Sequence, residues 1–230
     1  MKLNTNSNSY IIIYSAILVV IVAFLLAFVY QALKPMQDAN VALDVKKQIL
    51  YSLNIRDLDG AEAEAKYAEV VKDEKEAGDK LYYECEIDGQ KKYVFPLKGM
   101  GLWGGISGYL AMHGQDNPKV YGAYFNHESE TAGLGAEIKD SQEWQEKFIG
   151  KAVYDENHDV ALSVVKKVEN PVHQVDCVTG ATLTSNGVDA MLKTCLVDAC
   201  PIAFELFENL MAQPQAVADS TATEPKIKEE

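Results

Sequence analysis

Residues Ile11 to Val29 read IIIYSAILVVIVAFLLAFV, and within them only Tyr14 and Ser15 are not plainly apolar. No charged side chain stands anywhere from residue 3 to residue 33. A helix rises about 1.5 Å per residue, so this run covers roughly the 30 Å hydrocarbon thickness of a bilayer. Tyr10 and Tyr30 bracket it where interfacial aromatics anchor a span. The expected organisation is a short arm over 1–9, a transmembrane helix over 10–33 and a soluble body beyond. A cleaved signal peptide is the competing reading, but the run is longer than a signal core and no small-x-small site follows it cleanly. Lys2 precedes the span and Lys34, Lys46 and Lys47 follow it, so the positive-inside count decides nothing. The short arm, which needs no translocation, and the acidic bulk that follows favour an exported body.

Outward from the span, the chain of 230 residues balances 21 basic against 34 acidic side chains, a net charge of -13. That charge speaks against a nucleic-acid partner. Cys85, Cys177, Cys195 and Cys200 form no C-x-x-C pair, and the four histidines show no ligand spacing, so no zinc or iron-sulfur site is expected. Free, buried thiols are expected. Val41, Val45 and Ile49 at four-residue spacing predict an amphipathic helix over 38–53, and the Ala-, Glu- and Lys-rich run 61–77 predicts another. Leu81–Glu86 and Lys91–Phe95 flank Asp88-Gly89, a strong hairpin signal. Ile106–Met112 and Val120–Phe125 predict a second strand pair, followed by a helix over 141–148 and a strand over 160–165. Val188–Leu210 reads as a helix interrupted near Pro201. The expected fold class is α+β: one soluble domain over 34–211 on a single membrane helix, with a disordered polar tail over 212–230.

Three segments carry the chemistry. The first, Asp176-Cys-Val-Thr-Gly-Ala-Thr-Leu-Thr-Ser-Asn-Gly-Val188, feeds hydroxyl and small residues into the last helix. A helix N-terminus presents unpaired N–H groups to an anion, and Gly180 and Ala181 let the backbone approach a phosphate. The alternative is a plain N-cap by Thr184, Ser185 or Asn186, with Asp189 favouring the dipole. The second, Gly99 to Gly108, holds five glycines in ten residues around Trp103. It is either a ligand-binding loop or a turn that places Trp103 in the core. The third, His127-Glu-Ser-Glu-Thr-Ala-Gly-Leu-Gly-Ala136, follows a predicted strand and suits a pocket-lining loop. His127 with Glu128 and Glu130 is an acid/base candidate, or a solvated loop histidine.

Taken in this order, the three segments resemble the NqrC family, a component of the sodium-translocating NADH:quinone oxidoreductase, over nearly the whole chain. The resemblance implies an FMN-binding domain behind a transmembrane helix. The family motif D-x-x-[ST]-G-A-[TS] stands here as Asp176, Thr179, Gly180, Ala181 and Thr182, which assigns a covalent FMN phosphoester to Thr182. Ring contacts are implied from Glu130, Thr131, Leu134 and Gly135 and from the Gly-rich segment; Lys166 or Lys167, at the end of a predicted strand, is either a candidate to offset the phosphate charge or a solvated surface lysine. Ala132 departs from the family's usual Pro, and Met100 stands where a Lys is frequent. Asp176 reads either as a base for the threonine hydroxyl or, in the commoner role for Asp at such a place, as a brace of its loop by an Asx-type bond. A threonine hydroxyl is a poor nucleophile unaided, so a separate flavin transferase is expected to make the ester. The implied partners are that enzyme, the lipid bilayer and the other subunits of a six-subunit Na+-pumping complex in the bacterial inner membrane, single-pass, with the flavin domain on the periplasmic side. The implied role is an electron relay with no complete active site of its own. Three other functions stay open: the flavinylated electron-transfer component of an Rnf ferredoxin:NAD complex, a non-redox anchored binding or assembly module, and a hydrolase built on His127 and Glu130.

Overall fold

The computed structural model describes residues 7–78, 80–114 and 117–212. Most of the N-terminal arm and the polar tail thus lie outside the described residues.

α1 (Asn8–Ser52) is a single helix of 45 residues. It is long and apolar enough to cross a membrane. The separate helix expected over 38–53 is its continuation. Pro35 sits inside it, where a proline removes one backbone hydrogen bond and costs about 3 kcal/mol in a helix interior. The flanking Ala, Leu, Met and Gln carry the helix past that defect. Its last turns dock on the body, with Gln48, Ile49, Leu50 and Ser52 buried.

α2 (Gly60–Val70) starts on a capping box, with the Asp59 side chain accepting from Glu62 N–H and Glu62 reaching back. It stops well short of Ala77. Residues 71–77 form instead β1 (Val71–Ala77), the charged edge of a sheet. A VKDEKEA strand is favoured at an edge because its charges discourage pairing with a second chain. β2 (Lys80–Ile87) and β3 (Gln90–Met100) form the expected hairpin, with Asp88 at φ 53° and Gly89 at φ 72°. β4 (Gly105–His113) and β5 (Lys119–His127) complete a five-stranded antiparallel sheet in chain order.

Alternation along the strands gives each face its own core. Tyr82, Tyr93, Phe95, Leu97 and Leu110 point to one side, where they meet Trp144, Phe148, Tyr154 and the last helix. Tyr83, Cys85, Val94 and Ala111 point to the other, against Ile49 of α1, Leu53 just after it and Val70 of α2. After β5 come two short helices, α3 (Glu137–Asp140) and α4 (Gln142–Glu146), the latter capped by Ser141. The strand expected over 160–165 is reduced to β6 (Ser163–Val165), which pairs in parallel with β7 (Gln174–Asp176).

α5 (Thr182–Ala212) differs from expectation in two respects. It begins six residues before Val188, and Pro201 does not interrupt it. The residues of its first turns are poor helix formers, but Val188, Met191, Leu192 and Leu196 bury the helix against the sheet, and that packing overrides propensity. All four cysteines are free, as expected, yet only Cys85 is fully buried.

Candidate functional site

β7 delivers the chain to Asp176, and a short turn carries it into α5. Gly180 in that turn has φ 78°, and a Cβ there would meet Leu134 Cδ2 at 2.9 Å, so the position favours glycine on both counts. The turn places Thr182 at the first position of the helix, where backbone N–H groups have no intrahelical acceptor and the dipole favours an anion.

Thr182 opens onto a cleft of about 430 Å³ lined by Leu102, Trp103, Glu130, Thr131, Leu134, Gly135, Gly180, Ala181, Thr182, Leu183 and Thr184. The three segments singled out in the sequence thus converge on one place. The Gly-rich β3–β4 turn forms one wall, and Trp103 is 67% exposed there, which excludes the core position considered for it. The loop after β5 forms a second wall, and the start of α5 forms the floor. α5 comes this close to the Gly-rich turn because Gly187 has no side chain: a Cβ there would collide with the Met100 carbonyl.

The hydroxyls around the turn are not equivalent. Thr184 is buried and donates to Glu130 Oε2 at 2.6 Å. Ser185 is fully buried and its Oγ accepts from Val178 N–H at 3.0 Å. These two and Asn186 all lie inside α5, which begins at Thr182, so the plain N-cap reading fails. Asp189 is likewise engaged elsewhere, accepting from Val164 N–H at 2.9 Å. Thr182 is half-buried, lines the cleft, and among the described residues its Oγ1 has no hydrogen-bond partner.

Asp176 and Thr179 face away from this cleft into a neighbouring polar one of about 320 Å³, with Glu137, Ser141, Glu143 and Lys147. Asp176 makes no Asx-type bond among the described residues; its Oδ2 pairs with Lys147 Nζ at 3.0 Å. Lys147 is the cation that sequence reasoning missed, because it lies 29 positions away and no local pattern marks it. Lys166 is exposed just after β6, next to Val165, whose carbonyl accepts from Cys177 N–H at 2.9 Å, but it lines neither cleft.

Glu130 is 8% exposed, and its Oε1 accepts from Trp103 N–H at 2.9 Å. Burial alone pushes its pKa up, but the Thr184 hydroxyl and the Trp103 and Leu102 N–H groups outweigh that and hold it below the ordinary glutamate value. His127 Nδ1 accepts from Glu130 N–H at 3.2 Å. The His127 ring therefore meets the backbone of Glu130 and not its carboxylate, which leaves the hydrolase reading without a nucleophile-base pair.

Residues 101–197, from the Gly-rich turn to the middle of α5, match the FMN-binding domain family. The crystal structure of the NqrC component of the Na(+)-translocating NADH-quinone reductase from Parabacteroides distasonis superposes with TM-score 0.67 at 33% identity, covering 75% of this chain and 96% of that one. The chain belongs to the NqrC family. The corresponding component from Pseudomonas aeruginosa is 39% identical over 116 residues, which make up 48% of this chain and 44% of that protein. The matched part thus spans less than half of this curated relative. The NqrC structure from Shewanella oneidensis, at 21% identity and TM-score 0.57, shares the fold and covers 74% of this chain and 96% of that one.

Proposed function

We propose that this chain is a flavin-carrying electron-relay subunit of a membrane complex that couples NADH oxidation and quinone reduction to Na+ export, with FMN held as a phosphoester on Thr182. The observation that carries the site is the inequality among the hydroxyls. Thr184 and Ser185 are committed to protein partners and buried, and Thr179 faces the other cleft. Thr182 stands at the mouth of the apolar cleft with no partner among the described residues. A phosphate on its Oγ1 meets the positive end of α5, and Leu102, Trp103, Leu134 and Leu183 offer apolar walls to a flat ring.

When bound, FMN supplies the electron-transfer chemistry. The chain's own residues retain, orient and shield it. A covalent anchor at the phosphate end keeps the cofactor on the protein between encounters with donor and acceptor, whereas its potential is set by groups near the ring. A separate flavin transferase would supply the activation that the Thr182 hydroxyl lacks on its own and would take up the proton of Oγ1. No lining residue is placed to take that proton, because the Glu130 carboxylate already accepts from Thr184 and Trp103. α1 anchors the body in the bacterial inner membrane with the flavin domain on the periplasmic side, and the remaining subunits of a six-subunit complex supply the NADH and quinone sites.

Intact-mass analysis and denaturing-gel fluorescence of the full chain, co-produced with a flavin transferase, test this. The wild type is expected to gain one FMN phosphoryl adduct that maps to the Thr182 peptide, and Thr182→Val is expected to gain none. An adduct that persists in Thr182→Val, or a wild type without one, refutes the site.

A further inference from the structure

Of the residues lining the apolar cleft, Glu130 is the one that carries a formal charge. It does not lie there by default. Its carboxylate is wedged between Gly101 and Gly135, where any Cβ would collide with it, and both oxygens are engaged by neutral donors: Trp103 N–H on one and the Thr184 hydroxyl on the other. These neutral donors, with Leu102 N–H beside them, stabilise the ionised form without cancelling its charge. Nearby, His127 accepts Glu130's own N–H through Nδ1, and Glu128 is turned to Gly105 N–H at 3.2 Å, so no lysine or arginine faces the carboxylate from the cleft wall.

We propose that Glu130 is a tuning residue: its fixed negative charge in the wall of the cleft opposes the charge that reduction adds to the flavin, and so holds the cofactor's reduction potential down. This rests on the flavin reading above. Reduction brings two electrons to the ring system and one or two protons from solvent. Whenever fewer protons than electrons arrive, net negative charge grows beside a carboxylate that the apolar walls screen poorly. The positive end of α5 is taken up by the phosphate at Thr182 and does not remove this opposition.

The full chain carrying covalent flavin is titrated with dithionite against a reference dye at pH 8, and the flavin midpoint is read by absorbance. Glu130→Gln keeps an acceptor for Trp103 N–H and a partner for Thr184 but removes the charge, so its midpoint is expected to shift positive. Thr184→Val keeps the charge and removes one of the donors that soften it, so its midpoint is expected to shift negative. A purely structural role moves both variants the same way or neither, and either of those results overturns the inference. If one variant loses the native circular-dichroism spectrum, the sign of the other decides. A wild type without covalent flavin refutes the Thr182 assignment first, and this inference with it; a coloured wild type with unmoved variants refutes this inference alone.

Discussion

On one side of the Asp176–Thr182 segment lies a cleft walled by Leu102, Trp103, Leu134 and Leu183; on the other lies one lined by Glu137, Ser141, Glu143, Lys147 and Asp176. The first is held open by close backbone approaches and a buried carboxylate, the second by exposed charged side chains. Asp176 and Thr179 therefore belong to a different surface from Gly180, Ala181 and Thr182, although all five sit in one short sequence motif. A contiguous motif need not be a contiguous site. Part of it lines the apolar cleft, while the other part faces the polar one.

The apolar cleft is most easily undone at Gly187. A methyl there meets the Met100 carbonyl, a backbone atom that cannot swing aside. Overpacking of this kind costs about 1–3 kcal/mol, against about 1 kcal/mol gained from alanine's helix propensity. Gly187→Ala is expected to lower the melting temperature, by about 2–4 °C per kcal/mol for a body of this size, and to cut flavin incorporation. Unchanged melting and full incorporation would show that the cleft does not depend on this contact.

A smaller effect is expected from the carboxylate. Glu130 titrates below its ordinary value of 4.5 in the folded protein. A depressed carboxylate contributes stability that is fully present above the unfolded value and is lost as pH falls through the folded one. The gap in melting temperature between wild type and Glu130→Gln is thus expected to be constant near neutrality and to narrow as pH drops below about 4.5. A gap that widens on acidification would contradict the sign.

The smallest effect is expected in the polar cleft. Lys147 and Asp176 are 39% and 48% exposed, and a pair so open to water contributes about 0–1 kcal/mol. Lys147→Met is expected to leave stability within about 1 kcal/mol of wild type and the flavin midpoint unmoved, in contrast to Glu130→Gln. A midpoint shift as large as that of Glu130→Gln would mean that the two clefts are electrically one.

Much of this was legible in the sequence, for reasons that differ by element. The hairpin at Asp88-Gly89 announces itself because positive φ is costly for most residues, and α1 does so because an apolar run of that length has few soluble uses. The three site segments stood out by composition, and seven of the ten residues named for the site line the same cleft. What stayed hidden depends on distant partners. β1 reads as a helix until β2 pairs with it, because nothing local in Val71–Ala77 opposes helicity. The start of α5 at Thr182 is invisible in a Thr-, Ser- and Gly-rich stretch whose helicity comes from packing on the Gly-rich turn. Glu130's hold on Trp103 and Thr184 spans 27 and 54 positions, and Lys147's on Asp176 spans 29, beyond any local pattern.

Because α1 runs as one helix, with Pro35 inside it, from the apolar run into the buried turns at Gln48 to Ser52, the stem is a shaft and not a leash. Shaft length sets standoff and bearing together: each residue added between Lys34 and Lys47 would lift the body by about 1.5 Å and swing the mouth of the cleft by about 100° around the axis. Aim is therefore encoded in a count of residues far from the cleft itself, and an insertion in the stem would point an intact cofactor seat in the wrong direction.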